Sequence, residues 1–230
     1  MQGLVGLPYH AGAIMTADLF AAAGASPLHL ALGPQAVLLH GAALVQAPAL
    51  WAAVQAITRH APWRHMETPG GRAMSVATTC CGALGWISDR RGYRYVDRDP
   101  MTGQPWPPMP AAFLDVARAA AEQAGFEAFE PDACLINRYA PGTRLSLHQD
   151  RDERDLAAPI VSVSLGLPAT FLWGGLARSD KAWRAQLSHG DVVVWGGVDR
   201  LRFHGVAPVS RGVHPLTGPW RINLTLRKAG

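Results

Sequence analysis

The chain has 230 residues, a net charge of +4 and 49% hydrophobic residues. This length fits one folded domain that buries about 70 to 75% of its unfolded surface, and the mild positive charge permits an anionic partner without requiring one. Three cysteines, with Cys80 and Cys81 adjacent, exclude a disulfide-rich scaffold. They favour a reduced compartment in which the thiols are packing residues.

The first 34 residues are rich in Ala, Gly and Leu and carry a single charge, Asp18. We expect residues 1–34 to form a partly disordered extension and residues 35–230 to form one domain. The first lysine or arginine is Arg59, which is not the composition of a signal or transit peptide. No apolar run is long enough to argue for a membrane span. We therefore expect a monomeric, cytoplasmic protein without a membrane partner.

Two amphipathic helices and an early strand are predicted from periodicity. An apolar run at 37–39 predicts the strand. Residues 48–60 and 111–124 have apolar side chains at helical spacing, and a proline near the start of the first helix suits that position. Gly125 follows the second helix and is expected to end it. Both helices should cover the outer face of a sheet.

The segment from Thr68 to Asp99 has many glycines, which mark turns between short strands. Within residues 59–98 there are seven arginines and three acidic residues. The aromatic residues Trp86, Tyr93 and Tyr95 are interleaved with them. Arginines can neutralise phosphates, and aromatic faces stack on bases. A basic hairpin in water explains the same composition, and the segment alone leaves both interpretations open.

Short strands dominate the rest of the chain. Glycine and proline turns separate them, which is typical of two packed antiparallel sheets. The predicted strands are 134–139, 144–148, 160–165, 170–173, 191–195, 201–206 and 220–227.

Residues 137–150 are the most informative stretch. The Pro141-Gly142 pair predicts a tight turn between two strands. Because strand side chains alternate between two faces, His148 and Asp150 should share one face. With His204 as a third ligand, they match the two-histidine, one-carboxylate triad of non-haem Fe(II) oxygenases. The histidine and carboxylate pair by itself also fits a surface hydrogen bond.

The last predicted strand strengthens the metal interpretation. Residues 221–227 alternate strictly between polar and apolar side chains. If the apolar face packs under a helix, the polar face with Arg221 and Arg227 lines the metal cavity. A dicarboxylate that chelates iron at one end and meets arginine at the other would satisfy both charges. An edge strand with its arginines in water is the alternative.

Taken together, these residues resemble the AlkB family of Fe(II)/2-oxoglutarate dioxygenases, which repair alkylated nucleic-acid bases. The resemblance runs from about Thr68 to the end of the chain. It includes the Leu-Ser-Leu-His-Gln-Asp run at 145–150 and the segments 131–142, 158–168, 190–197 and 223–225. It implies a mainly β, α+β fold, the double-stranded β-helix or jelly roll. Supporting helices would lie on its outer face, with a nucleotide-recognition lid at about 68–105.

The resemblance also implies the roles of individual residues. Fe(II) would be bound by His148, Asp150 and His204, which are the catalytic residues. The distal carboxylate of 2-oxoglutarate would pair with Arg221, and the remaining co-substrate residues would be Asn137, Tyr139, Asn223 and Arg227. Trp86 would stack on the damaged base and Asp152 would face its exocyclic edge. The other substrate residues would be Thr68 and Tyr93, which hold the backbone, and Arg178.

The implied reaction uses O2 to decarboxylate 2-oxoglutarate to succinate and CO2 and to hydroxylate an N-methyl group, which leaves as formaldehyde. The implied substrates are 1-methyladenine and 3-methylcytosine in DNA, preferably single-stranded but also double-stranded, and in RNA. Such bases cannot pair normally, which lowers the energy needed to extrude them. Two alternatives are an oxygenase acting on a protein or metabolite, and a reader of alkylated nucleic acid without turnover.

Overall fold

The computed structural model describes residues 29–230. Within them the chain forms two α-helices, α1 (Ala47–His60) and α2 (Ala111–Gln123). The strands of the first half are β1 (His29–Gly33), β2 (Ala36–Leu39), β3 (Arg64–Glu67), β4 (Ala73–Gly82), β5 (Gly85–Asp89) and β6 (Gly92–Val96). Those of the second half are β7 (Ala133–Tyr139), β8 (Leu145–His148), β9 (Ile160–Gly166), β10 (Ala169–Trp173), β11 (Trp183–Leu187), β12 (Val192–Trp195), β13 (His204–Val206) and β14 (Arg221–Arg227).

Eight strands form one large sheet, in the order β1-β2-β12-β9-β14-β7-β4-β3. The strand β14 lies at its centre, paired antiparallel with β7 on one side and β9 on the other. All seven residues of β14 are buried. The alternative of a solvent-exposed edge strand is therefore wrong.

The apolar face of the large sheet forms the main core with both helices. Leu224 and its apolar neighbours on β14 pack in one cluster with Val54 of α1 and Phe113 of α2. A proline lies in the first turn of α1. Gly125 follows α2 with a φ of 82°, a left-handed conformation that glycine adopts without strain. The predicted helices and the role of this face are confirmed.

A second sheet of four strands, in the order β11-β10-β13-β8, faces the other side of the large sheet. Phe171 and Trp173 of β10 pack against Leu38 and Trp195 of the large sheet. The turn predicted at Pro141-Gly142 is present, since Gly142 has a φ of 84°. It joins β7 in the large sheet to β8 in the small sheet, so that both sheets contribute to the space between them.

A separate hairpin of β5 and β6 lies beside the two sheets. Asp89 closes its turn by accepting hydrogen bonds from Arg94 and from the backbone N–H of Arg91. The hairpin approaches the domain so closely that a Cβ on Gly85 would lie 2.3 Å from the Trp106 ring. The hairpin lies within the lid predicted at 68–105, and strand β4 of the same segment pairs with β7 in the large sheet.

Several boundaries differ from those expected. Residues 29–33 of the expected extension form strand β1, which pairs with β2 in the large sheet, and its residues 1–28 lie outside the described part of the chain. The strand expected at 201–206 begins only at His204, after a 3₁₀ turn at Gly197–Asp199. Strand β11 was not predicted, since most of its side chains are polar or exposed.

The three cysteines are free and buried, which confirms that they are packing residues. Burial raises the pKa of the Cys80 thiol to about 12. No helix in residues 29–230 is long and apolar enough to cross a membrane.

Candidate metal and co-substrate site

His148, Asp150 and His204 meet between the two sheets. His148 is the last residue of β8 and His204 the first of β13, and the pairing of these strands places the two histidines opposite each other. Each Nε2 lies 3.6 Å from a carboxylate oxygen of Asp150. One ligand atom from each of the three residues lies within 4.8 Å of the others. The predicted triad is thus brought together by strand pairing, although Asp150 itself lies just beyond the end of β8.

Backbone carbonyls set the tautomer of both histidines. The Nδ1 of His148 lies 2.9 Å from the oxygen of Ser146, and the Nδ1 of His204 lies 3.0 Å from the oxygen of Arg202. A carbonyl oxygen only accepts hydrogen bonds, so Nδ1 carries the proton in each ring. Each Nε2 therefore presents a lone pair toward Asp150, as in metal-binding histidines.

The charges of these groups also suit a cation. Burial and the neighbouring His204 lower the pKa of His148 to about 4. Burial disfavours the ionised form of Asp150 and by itself would raise its pKa. The interactions with Arg227, His204 and His148 outweigh this effect and hold the pKa of Asp150 well below the usual range. At neutral pH the site therefore offers a neutral imidazole and an ionised carboxylate, which are the ligand forms that a divalent metal needs. Two histidines and one carboxylate are the donor set of non-haem Fe(II) oxygenases.

A cavity of about 620 Å³ opens above these three residues. Its wall contains every site residue expected from the sequence. Besides the triad, these are Thr68, Trp86, Tyr93, Asn137, Tyr139, Asp152, Arg178, Arg221, Asn223 and Arg227. The cavity lies between the polar face of β14, the small sheet and the β5–β6 hairpin.

Arg221 has free hydrogen-bonding capacity inside this cavity. Its side chain is buried, and the guanidinium lies 4.8 Å from the centre of the Tyr139 ring. Nη2 donates to the Ser164 hydroxyl at 3.2 Å, whereas Nε and Nη1 have no hydrogen-bond partner among the described residues. A buried cation with unsatisfied donors costs free energy unless an anion binds. The site thus fits a carboxylate at Arg221.

Asn223 is already engaged within the sheet. Its amide nitrogen donates to the Ser162 hydroxyl at 2.8 Å and to the Val163 carbonyl at 3.1 Å. Its amide oxygen accepts from the Thr225 hydroxyl at 2.9 Å. Asn223 therefore also holds the polar face of β14 in register with β9.

Arg227 pairs with a triad residue. Its Nη2 lies 2.6 Å from a carboxylate oxygen of Asp150, and its Nε lies 3.3 Å from Glu153. Burial disfavours the guanidinium charge, but Asp150 outweighs that effect and raises the pKa of Arg227. Arg227 was expected to hold 2-oxoglutarate. Its pairing with Asp150, which helps to keep that carboxylate ionised, is a further role and leaves the expected one a prediction.

Three residues of this charge network were not identified from the sequence. Glu153 accepts hydrogen bonds from Arg200 at 3.1 Å and from the Tyr95 hydroxyl at 2.7 Å. Arg200 also donates to the backbone oxygen of Asp150 at 2.6 Å. Glu153 lies three residues after Asp150, so proximity to the motif was the available signal. Tyr95 belongs to β6, and the network therefore connects the hairpin to the metal ligand.

Replacing Glu153 by leucine should destabilise the protein by about 3 kcal/mol, because it removes one partner of a buried ion pair while Arg200 and Arg227 stay buried. Urea denaturation of the metal-free protein measures this. The control is Glu130→Gln, which breaks an exposed ion pair with Arg118 and should leave the midpoint unchanged. Equal midpoints for the two variants would contradict a structural role for the buried network.

The substrate residues expected on the hairpin form a stack at the cavity mouth. The Trp86 and Tyr93 rings lie 5.6 Å apart with 12° between their planes. The Trp86 Nε1 donates to Asp152 at 2.9 Å, so the carboxylate expected to face a base also orients this ring. Thr68 accepts a hydrogen bond from the backbone of Arg72. Arg178 lies over the Phe203 ring at 5.8 Å.

The sheets, the triad and the free guanidinium together define a non-haem Fe(II) oxygenase with a carboxylate co-substrate. In agreement, the family model of the 2OG-Fe(II) oxygenase superfamily matches residues 35–227. A solved structure, that of OsALKBH1, superposes with a TM-score of 0.78 at 30% sequence identity, covering 87% of this chain and all of that one. The predicted jelly-roll fold is confirmed.

Two curated relatives narrow the assignment. The chain is 56% identical to the alpha-ketoglutarate-dependent dioxygenase AlkB of Salmonella typhimurium, over 92% of this chain and 97% of that protein. It is 54% identical to AlkB of Escherichia coli, over 93% and 98% respectively. The chain belongs to the AlkB family of the 2OG-Fe(II) oxygenase superfamily. It is thus a dioxygenase that uses Fe(II), 2-oxoglutarate and O2, as the sequence predicted.

Proposed function

We propose that this dioxygenase removes N-methyl groups from 1-methyladenine and 3-methylcytosine in DNA, preferably single-stranded, and in RNA. One observation carries the proposal: an aromatic stack and a carboxylate line the same cavity as an Fe(II)-type triad and a buried guanidinium with free donors among the described residues. The AlkB relatives support it. The enzyme would release formaldehyde, succinate and CO2.

His148, Asp150 and His204 would hold Fe(II), which with 2-oxoglutarate and O2 supplies the oxidising power for the N-methyl group. Arg221 would bind the distal carboxylate of 2-oxoglutarate through Nε and Nη1, the two donors that have no partner within residues 29–230. Asn137, Tyr139, Asn223 and Arg227 would surround the rest of the co-substrate. These side chains are buried, and the lower dielectric around them strengthens charge-assisted contacts.

The hairpin residues would hold the substrate. Trp86, backed by Tyr93 and hydrogen-bonded to Asp152, offers a ring face on which an extruded base can stack. The Asp152 carboxylate favours a cationic methylated base over a neutral one. Thr68 and Tyr93 would contact the backbone and Arg178 a phosphate. After hydroxylation of the methyl group, the hydroxymethyl substituent leaves as formaldehyde and the base nitrogen loses its alkyl group.

We also propose that the enzyme works as a monomer in the cytoplasm. The monomer is supported by the completeness of the site, because the triad, Arg221 and the Trp86–Tyr93 stack that the proposed reaction needs all line one cavity of one chain. A sedimentation experiment on the active enzyme tests this, and a dimer at working concentrations would contradict it.

The decisive experiment measures formaldehyde release from single-stranded oligonucleotides that contain 3-methylcytosine or 1-methyladenine, with Fe(II) and 2-oxoglutarate present. Release that depends on both additions supports the proposal. Binding without release would favour a reader of alkylated nucleic acid. Succinate formation that is stimulated by a protein or metabolite, and not by methylated strands, would favour a different substrate class.

Replacing Trp86 by alanine should weaken the binding of a methylated strand by roughly 1 to 3 kcal/mol, because the stacking face is lost. Trp86→Phe keeps a stacking ring and should retain most of the affinity. Decarboxylation of 2-oxoglutarate without nucleic acid should persist in both variants. Normal affinity and demethylation in Trp86→Ala would remove the hairpin from the substrate site.

A further inference from the structure

The outer face of the four-stranded sheet carries a second, shallower groove of about 410 Å³. Both helices in the described part of the chain pack on the large sheet, so they do not cover this face. Its wall is formed by residues from β8, β10, β11 and β13. Leu172 of β10 lies opposite Arg184 of β11 and Gly205 of β13, which places the Arg184 side chain on this outer face beside half-buried Leu172.

The groove is basic and lacks acidic side chains among its lining residues. Three arginines line it: Arg144, Arg178 and Arg184. All three are exposed, and none forms an ion pair with a described residue. Neighbouring like charges repel each other, and an anion that spans them relieves the repulsion.

The groove also borders the active-site cavity along the edge strand β8 of the small sheet. Arg144, Arg178 and the strand residues Leu145–Leu147 line both spaces, whereas Arg184 lines only the groove. A polyanion that enters the cavity mouth with one unit can therefore continue past Arg144 and Arg178 toward Arg184. The ligand chemistry that this geometry suits is a chain of phosphates spaced along a flexible single strand.

We propose that the groove binds the sugar-phosphate backbone of the strand that flanks the damaged nucleotide, with Arg184 as a phosphate contact several nucleotides from the extruded base. This proposal rests on the proposed function and extends it. It assigns this exposed sheet face to sequence-independent strand binding. It makes affinity depend on strand length, since a short oligonucleotide fills the cavity without reaching Arg184.

The test compares a single-stranded 15-mer carrying a central 3-methylcytosine with the corresponding trinucleotide. Fluorescence anisotropy under anaerobic conditions measures binding to the enzyme loaded with Fe(II) and 2-oxoglutarate. Because each phosphate contact on a single strand contributes about 0.7 to the slope of log affinity against log salt, Arg184→Gln should make the 15-mer slope shallower by about 0.7. At 0.1 M salt this corresponds to roughly fivefold weaker binding. The affinity for the trinucleotide should fall much less in the same variant.

Arg59→Gln is the matched control, since Arg59 is an exposed residue of α1 on the helical side and its replacement changes the net charge equally. The proposal requires Arg184→Gln to weaken 15-mer binding more than Arg59→Gln, and Arg184→Glu to weaken it further. Equal effects of Arg184→Gln and Arg59→Gln would overturn it, and so would equal losses for 15-mer and trinucleotide. Formaldehyde release from the trinucleotide reports on the proposed function separately.

Discussion

Replacing Asp150 by alanine is expected to reduce Fe(II)-dependent turnover to the level of the reaction without iron. The variant keeps two of the three candidate protein ligands, and the metal loses the charged one. It should also be less stable by about 3 kcal/mol without metal, because Arg227 loses its partner at 2.6 Å and keeps Glu153 at 3.3 Å. Succinate formation and urea denaturation measure the two effects.

His148→Ala separates these two roles. His148 forms no ion pair with Arg227, so its replacement should abolish turnover with a smaller change in the stability of the metal-free protein than Asp150→Ala. Loss of Fe(II) binding in both variants can be followed by titration with the metal. Full activity in Asp150→Ala would remove this carboxylate from the metal site.

Replacing Arg221 by leucine should raise the concentration of 2-oxoglutarate needed for half-maximal turnover by roughly thirtyfold or more. Truncating one partner of a buried charge pair costs about 2 to 5 kcal/mol, and each 1.4 kcal/mol is a factor of ten. The metal-free variant should be as stable as the original protein or more so. Arg221 has no anionic partner among the described residues, and an apolar replacement removes a buried charge.

Arg221→Lys serves as the control for charge alone. It keeps the cation but loses the planar pair of donors, so it should recover only part of the co-substrate affinity. Binding of a methylated oligonucleotide should be similar in both variants. An unchanged 2-oxoglutarate requirement in Arg221→Leu would place the distal carboxylate elsewhere in the cavity.

The sequence identified the parts of the site that depend on local periodicity. Alternation along residues 221–227 predicted a polar and an apolar face, and the structure has Arg221 on the cavity side and Leu224 in the core. The Pro141-Gly142 turn was predicted from residue type alone, since few other residues suit that backbone. The resemblance to the AlkB family supplied the roles and the fold.

The sequence by itself thus determined which side chains share a strand face and where a tight turn lies. Both signals act over two to four neighbouring positions. Only the tertiary structure decided which charges neutralise one another. The sequence is equally compatible with an Arg227 that contacts only the co-substrate. Its ion pairs with Asp150 and Glu153 form because the fold brings the end of β14 close to the residues that follow β8. The contact of Tyr95 with Glu153 likewise joins residues 58 positions apart. Ion pairing depends on distance in space, and sequence separation carries little information about that distance.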